Sequence, residues 1–205
     1  MKTTLSLALI LLSIVPSAFA ATMYTSKAAF LGHIAPNYYL EEFSTYTYGS
    51  PLDSSIDTVN FGPVGGYSWQ AHADVGLFSN PSALSTEYAN DLLEITFSGL
   101  PVTAVGGLFI PTNKDGNLTN ATITLTLNDG TTVSYNGARF TGFTTDVPIT
   151  SLIIVTDVSN TSLDINDYSW PTLDDFYVGA AVPEPSTFLL LSAGLGGLAL
   201  LRRRK

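Results

Sequence analysis

Alternating apolar and polar residues mark the middle of the chain. Residues 122–127 read Thr-Ile-Thr-Leu-Thr-Leu, a period of two that is typical of a strand with one buried face and one solvated face. The Asn128-Asp129-Gly130 segment that follows tolerates positive φ, and Val133 and Tyr135 then resume the apolar alternation. This pattern predicts a β-hairpin.

Two other apolar patterns indicate a further strand and a helix. Residues 152–155 form the continuous run Leu-Ile-Ile-Val, which is expected of a strand that is central in a sandwich or buried on both faces. Near the start of the chain, Ser26 is a candidate helix N-cap. Phe30 and Ile34 fall on one face of this short helix before Pro36 ends the pattern.

Ten segments in all have the spacing and composition of strands, and turn-forming residues separate them. They are residues 39–43, 68–72, 75–78, 91–97, 102–110, 121–127, 131–135, 140–143, 151–156 and 173–178. The chain is therefore predicted to be all-β, with the fold of a two-sheet antiparallel β-sandwich, jelly-roll-like, with one short N-terminal helix.

The N-terminus has the pattern of a secretory signal peptide. Lys2 is the charged residue of the N-terminal region, and residues 5–15 are apolar. Ala18 and Ala20 are the two small residues of a small-x-small cleavage site. We expect translocation by the Sec translocon and cleavage after Ala20. An uncleaved signal anchor is the alternative, but the apolar segment is short and ends at Pro16.

The C-terminus combines three features in order. These are the tripeptide Pro183-Glu184-Pro185, an uncharged apolar segment at 188–201, and the basic run Arg202-Arg203-Arg204-Lys205. As a helix the apolar segment would be about 21 Å long, against about 30 Å for a hydrocarbon core. The four cations should stay cytoplasmic under the positive-inside rule. A plain C-terminal transmembrane anchor is one interpretation, and a processed sorting signal is the other.

This order of features closely resembles the PEP-CTERM sorting signal of Gram-negative bacteria. The resemblance implies recognition by exosortase, a membrane-embedded cysteine protease-transpeptidase. Upstream, residues 24–31, 40–43, 101–107 and 173–179 look like the opening, middle and closing segments of PEP-CTERM ectodomains. Those ectodomains are similar in outline to the jelly-roll sandwiches of carbohydrate-binding modules.

The chain is accordingly expected to have three parts: a signal peptide at 1–20, a β-sandwich ectodomain at 21–182 and a sorting signal at 183–205. The ectodomain should be periplasmic while residues 188–201 hold it transiently in the inner membrane as a transmembrane helix. After processing it should reach the outer surface or the extracellular matrix.

The predicted ectodomain is strongly acidic. It contains three basic and sixteen acidic residues, a net charge of −13. This charge argues against nucleic acid, anionic lipid and anionic polysaccharide as direct partners, and is compatible with divalent cations and neutral glycans. The chain has no cysteine, which excludes disulfides, cysteine catalysis and thiolate metal sites.

Two acidic pairs are candidate ligands for a structural Ca²⁺ ion. Glu41 and Glu42 lie on the predicted opening strand, and Asp174 and Asp175 lie on the predicted closing strand. If these strands pair, their carboxylates supply the hard oxygen ligands that Ca²⁺ prefers. Strand alternation implies that one residue of each pair faces inward and the other faces solvent. The alternative is that all four are solvated acids at strand ends.

Two Tyr-x-Trp segments are candidate glycan-stacking sites. Tyr67 and Trp69 share one side of a predicted strand, as do Tyr168 and Trp170. An exposed aromatic face next to polar side chains can stack on a sugar ring. The alternative is that these aromatic residues belong to the sandwich core.

No catalytic residue is singled out. The chain has two histidines, His33 and His72, with no two-histidine metal motif and no Gly-x-Ser-x-Gly segment. The sequence therefore predicts an exported, exosortase-sorted, non-catalytic protein of the cell surface or of an exopolysaccharide or biofilm matrix. The alternatives are a carbohydrate-binding module, with or without Ca²⁺ dependence, and a carboxylate-based glycan hydrolase.

Overall fold

The computed structural model describes residues 21–44, 56–80, 82–89, 91–157 and 168–182. Within these ranges the chain forms one helix and thirteen strands. They are β1 (Thr22–Tyr24), α1 (Lys27–Leu31), β2 (Tyr39–Glu41), β3 (Thr58–Val64), β4 (Tyr67–His72), β5 (Leu77–Asn80), β6 (Ala83–Thr86), β7 (Leu93–Gly99), β8 (Ala104–Thr112), β9 (Thr122–Leu127), β10 (Thr132–Asn136), β11 (Arg139–Thr144), β12 (Ser151–Thr156) and β13 (Trp170–Gly179).

The strands form two antiparallel sheets. The seven-stranded sheet has the order β1-β11-β8-β13-β6-β5, with β2 also paired to β13, and the six-stranded sheet has the order β10-β9-β12-β7-β4-β3. The chain passes repeatedly from one sheet to the other, which is consistent with a jelly-roll-like sandwich. The predicted all-β fold with two antiparallel sheets is confirmed.

The predicted strand segments account for every strand of the six-stranded sheet except β3. β9 and β10 form the expected hairpin, in which Ile123 lies opposite Tyr135. β12 has the predicted bounds and lies inside the sheet, between β7 and β9. The strands β1, β3 and β6 were not predicted. β3 contains Gly62 and Pro63, which argue against a central strand, but β3 lies at the sheet edge, where proline is tolerated.

The helix α1 is shorter than its apolar pattern indicated. Ser26 is the N-cap as predicted, and its side chain accepts a hydrogen bond from the Ala29 backbone N–H. The helix ends at Leu31, and Ile34 instead forms an antiparallel bridge with Ala181. In the described part of the chain, no helix combines the length and apolar character needed to span a membrane.

The main core lies between the two sheets and is built around Trp69. The Trp69 ring is 1% exposed and stacks on Phe61 with 3.9 Å between ring centroids. It meets Phe176 edge-on at 5.0 Å. Because Trp69 and Phe61 belong to the six-stranded sheet and Phe176 to the seven-stranded sheet, these ring contacts join the two layers.

A second, smaller core lies under α1 on the outer face of the seven-stranded sheet. Phe30 is fully buried there, with Tyr177 and Ala104 in the same cluster. Its ring lies against the backbone of Gly106 and Gly142, and a Cβ on Gly142 would overlap the ring. Gly106 and Gly142, which lie opposite each other on neighbouring strands, therefore leave space for the Phe30 ring, and α1 can cover one half of this face.

Replacing Trp69 with alanine should destabilise the protein by about 3–5 kcal/mol, because the change leaves a cavity where the two sheets meet. The free energy of unfolding, measured by urea denaturation and far-UV circular dichroism, tests this expectation. The matched control is Trp170→Ala, since Trp170 is only half-buried and should cost much less. Equal losses for the two variants would contradict the assignment of Trp69 as the central core residue.

Candidate functional site

The strand β13 has two different neighbours along one of its edges. Thr172 and Leu173 pair with β6, whereas the stretch from Phe176 to Val178 pairs with β2. On the other edge β8 runs alongside almost the whole strand. Between these two stretches the pairing with β8 shifts by one residue, which is a β-bulge.

The bulge changes which side chains of β13 face the core. Leu173 belongs to the main core, and so do Phe176 and Val178, although regular alternation would place residues 173 and 176 on opposite faces. The backbone of Asp175 has a φ of 48°, in the left-handed region that Asp tolerates better than most residues. The extra residue at the bulge restores the inward direction for the end of the strand.

A groove of about 520 Å³ lies beside the first half of β13, on the outer face of the seven-stranded sheet. Part of its lining is a row of directly opposed residues that crosses four strands, β5, β6, β13 and β8. The row consists of Phe78, Ser85, Thr172 and Ile110. Trp170 and Asp174 lie two residues to either side of Thr172 on β13 and also line the groove.

The turn that follows β8 contributes part of the groove lining. The Asn113 Oδ1 atom accepts hydrogen bonds from the backbone N–H groups of Asp115 at 3.0 Å and Asn117 at 2.9 Å. This Asx geometry holds the turn in shape. Lys114 and Leu118 from the turn line the groove, and the Lys114 ammonium group is 2.8 Å from the Asp115 carboxylate.

Apolar side chains give the groove exposed hydrophobic surface. Leu118 is 61% exposed and Phe78 is 41% exposed. Trp170 is half-buried, and its indole Nε1 donates a hydrogen bond to the Glu87 carbonyl oxygen at 3.1 Å. That hydrogen bond orients the Trp170 ring.

Three hydroxyl groups of the groove form a directed chain of hydrogen bonds. Ser85 Oγ donates to the Pro171 carbonyl oxygen at 3.0 Å, and Thr172 Oγ1 donates to Ser85 Oγ at 3.0 Å. Thr112 Oγ1 lies 2.8 Å from Thr172 Oγ1. Because Thr172 has already used its single proton, Thr112 must be the donor to Thr172.

Asp174 is half-buried at the end of the groove next to the bulge. Burial raises the pKa of the Asp174 carboxyl above its usual range, and the charges of Asp175 and Glu42 act in the same direction. A hydrogen bond of 2.7 Å from the Asp175 backbone N–H to Asp174 Oδ1 opposes this shift. The net shift is upward, so the ionised carboxylate is less favourable here than in water.

On the other side of the bulge, Asp175 ties α1 to the sheet. The Lys27 Nζ atom lies 2.8 Å from Asp175 Oδ2 and 5.1 Å from the centroid of the Tyr177 ring. The hydrogen bond to Asp175 raises the pKa of Lys27 above its ordinary value. Both partners of the ion pair are partly exposed, so the pair orients α1 more than it stabilises the fold.

Comparison with known proteins identifies the segment that follows β13. Residues 181–205 match the PEP-CTERM protein-sorting motif. The motif implies export and membrane-associated sorting by exosortase through the C-terminal tail. Neither a curated protein nor a solved structure matches the chain.

The PEP-CTERM match confirms the sorting signal that the sequence predicted. It includes Pro183, Glu184 and Pro185 and the Arg202–Arg204 cluster. These residues, the predicted membrane span at 188–201, and the predicted signal peptide with Ala18 and Ala20 all lie outside the described residues. The signal peptide and the span therefore stay predictions.

The structure brings the two acidic pairs onto neighbouring strands, because Glu41 lies opposite Phe176. The Glu41 carboxylate is nevertheless occupied, since it accepts hydrogen bonds from the Tyr39 hydroxyl at 2.6 Å and the Phe43 backbone N–H at 2.9 Å. Among the described residues, no group of three or more His, Asp or Glu side chains could hold a metal ion. Ca²⁺ binding at these residues stays a prediction.

The expected alternation of the acidic pairs holds for one pair only. Glu41 is buried and Glu42 is exposed, as expected. Asp174 and Asp175 are both partly exposed, because the bulge interrupts the alternation at this point.

Of the four aromatic residues predicted to stack on glycans, Trp170 alone lines the groove. Tyr67 is 3% exposed and Trp69 is 1% exposed, so both are core residues and neither offers a ring face to a sugar. Tyr168 is half-buried and lies outside the groove lining.

Sequence reasoning missed the groove residues that surround Trp170. Phe78, Ser85 and Thr112 come from three other strands, and only the strand register brings them into the same groove as Thr172. A signal for Thr172 itself was present, because Trp170, Thr172 and Asp174 alternate along one side of a strand.

Substitution of Asp174 by asparagine should stabilise the protein at neutral pH. Asparagine keeps the Oδ1 acceptor for the Asp175 N–H and removes a charge that burial disfavours. The pKa of Asp174 is higher in the folded than in the unfolded protein. Ionisation of this carboxyl therefore lowers the free energy of unfolding at a pH above the folded-state pKa, and it has no effect at a pH below the unfolded-state pKa of about 3.9.

The melting temperature of Asp174→Asn relative to the wild type should therefore rise as the pH increases from about 4 towards 7. Thermal unfolding at a series of pH values measures this difference. The control is Asp129→Asn in the exposed β9–β10 turn, which makes the same charge change. A lower melting temperature for Asp174→Asn at neutral pH would be the contrary result.

Proposed function

We propose that the protein is an exported, exosortase-sorted component of the cell surface or the extracellular matrix that binds polysaccharide without catalysing a reaction. The PEP-CTERM motif supports the export and sorting. The observation that carries the binding function is the groove on the seven-stranded sheet, with Trp170 and the hydroxyl chain in its lining.

The groove has the mixed surface that sugar recognition requires. A ligand site combines apolar contact area with a small number of fixed polar groups. Trp170, Phe78 and Leu118 supply apolar surface for the C–H faces of sugar rings. The hydroxyl groups of Thr112 and Thr172, residues that are 7% and 6% exposed, are held in place by hydrogen bonds before a ligand arrives.

The two histidines lie away from the groove. His33 Nδ1 lies 2.8 Å from the Ala29 carbonyl oxygen at the end of α1. His72, on the six-stranded sheet, is 3.0 Å from Thr58 Oγ1. Neither histidine lines the groove, so neither is placed to act as a general base on a sugar held there.

Trp170→Ala should abolish or strongly weaken polysaccharide binding while leaving the sandwich folded. Loss of one stacking aromatic ring at the centre of a binding site commonly costs about 2 kcal/mol or more, which corresponds to a loss in affinity of about thirtyfold. Affinity electrophoresis through gels that contain neutral polysaccharides measures retention of the full chain in a polyoxyethylene detergent, which carries no sugar.

The matched control is Tyr168→Ala, an aromatic residue two positions away that lies outside the groove. It should retain wild-type mobility shifts. The proposal fails if the wild type is not retained by any of the polysaccharides, or if Trp170→Ala is retained as strongly as the wild type. Shortening of the polymer on incubation with the protein would contradict the non-catalytic role.

Changes in the sorting tail should stop processing without affecting the fold. Glu184→Ala alters the Pro-Glu-Pro segment, and deletion of residues 202–205 removes the cations that should hold the tail at the cytoplasmic surface. Both variants are expected to accumulate in the membrane fraction. Immunoblots of membrane and extracellular fractions measure the distribution, with Lys114→Ala in the ectodomain as a control. Unchanged release of both variants would contradict exosortase sorting.

A further inference from the structure

Three hydroxyl groups in the groove lining have their protons engaged within the protein. The hydroxyl protons of Ser85 and Thr172 are used within the protein, and the Thr112 proton is directed at Thr172. The Trp170 indole N–H is donated to the Glu87 carbonyl oxygen. The oxygens of the three hydroxyl groups keep lone pairs, which can accept hydrogen bonds only from donors on a ligand.

The charge of the groove also favours a ligand that carries hydrogen-bond donors, because such donors are often cationic. The carboxyl side chains that line it belong to Asp174 and Glu87, and the cation that lines it, Lys114, is paired with Asp115 at 2.8 Å. The predicted ectodomain around it has a net charge of −13. Such a field favours cationic ligands and repels uronic acids and sulfated sugars.

Building on the proposed polysaccharide-binding function, we propose that this groove selects amino sugars with free, protonated amino groups over their N-acetylated and anionic counterparts. An ammonium group is a donor without acceptors, so it matches both the lone pairs and the negative charge of the groove. N-acetylation replaces that cation with a neutral amide and adds a carbonyl oxygen. This oxygen is an acceptor, and the engaged protons of Ser85, Thr112 and Thr172 are not available to it.

Asp174 is the residue best placed to recognise the ammonium group. Trp170, Thr172 and Asp174 lie on one side of β13, and four residues of a strand extend about 13 Å. A sugar stacked on Trp170 therefore leaves room along the groove for a neighbouring sugar to direct its ammonium group at Asp174. Burial raises the pKa of Asp174, and a bound cation would offset the unfavourable desolvation of its carboxylate.

The test uses oligosaccharides of equal length, in which the glucosamine and N-acetylglucosamine oligomers differ only in the N-acetyl group and the galacturonic acid oligomer is an anionic comparison. The probes are oligomers of glucosamine, N-acetylglucosamine and galacturonic acid, titrated into the full chain in a polyoxyethylene detergent. Isothermal calorimetry in mildly acidic buffer, in which the amines carry protons, measures each dissociation constant. The glucosamine oligomer should bind about tenfold more tightly than the N-acetylated oligomer, and the galacturonic acid oligomer should bind weakest.

Two variants separate a specific contact from overall charge. Asp174→Asn should remove most of the preference for the glucosamine oligomer, so that the two dissociation constants become nearly equal. Asp129→Asn makes the same charge change in a turn of the other sheet and should keep the full preference. A preference that survives in Asp174→Asn, or that falls equally in both variants, overturns the assignment of Asp174.

The outcomes also separate this inference from the proposed function. Equal affinity for the glucosamine and N-acetylglucosamine oligomers overturns the amino-sugar selectivity and leaves polysaccharide binding intact. Preference for the galacturonic acid oligomer overturns the electrostatic reasoning in the same way. If the protein binds none of the oligomers and is not retained by neutral polysaccharide gels, the proposed binding function itself is overturned.

Discussion

The strand β13 must place Leu173, Phe176 and Val178 in the same core while it changes partner from β6 to β2. Regular strand geometry does not allow this, because residues three apart face opposite sides. One extra residue in β13 resolves the conflict, and Asp175 adopts a positive φ to accommodate it. The groove and the α1 anchor both depend on this bulge, since Asp174 borders the groove and Asp175 pairs with Lys27.

The bulge also separates two differently covered halves of the same sheet face. On one side α1 covers the sheet, because Gly106 and Gly142 leave space for the ring of Phe30. On the other side, the residues that face outward are large or hydrogen-bonding, as at Phe78 and Thr172. In the described part of the chain no helix covers that half. On that half Phe78 is 41% exposed and Leu118 is 61% exposed.

The tripeptide Tyr-Ser-Trp occurs twice, and its two copies differ in which residues are buried. At 67–69 both aromatic residues are buried, whereas at 168–170 the serine is buried and both aromatic residues are partly exposed. A period of two predicts which residues share a side of a strand, and it predicted β9 and β10 on that basis. It does not predict which side meets the opposite sheet. That choice depends on cross-strand register and on bulges, which arise from packing between distant segments.

The acidity of the predicted ectodomain links its expected route to its proposed ligand. A net charge of −13 gives the domain no electrostatic attraction to an anionic membrane once its tail is processed, so release is not opposed by surface binding. The same charge extends to the groove, where burial raises the pKa of the Asp174 carboxyl. A carboxylate that burial disfavours is more readily explained by a function that uses its charge than by folding alone. A polymer of protonated amino sugars would bring the complementary charge to that carboxylate, in a domain whose PEP-CTERM tail implies export and sorting.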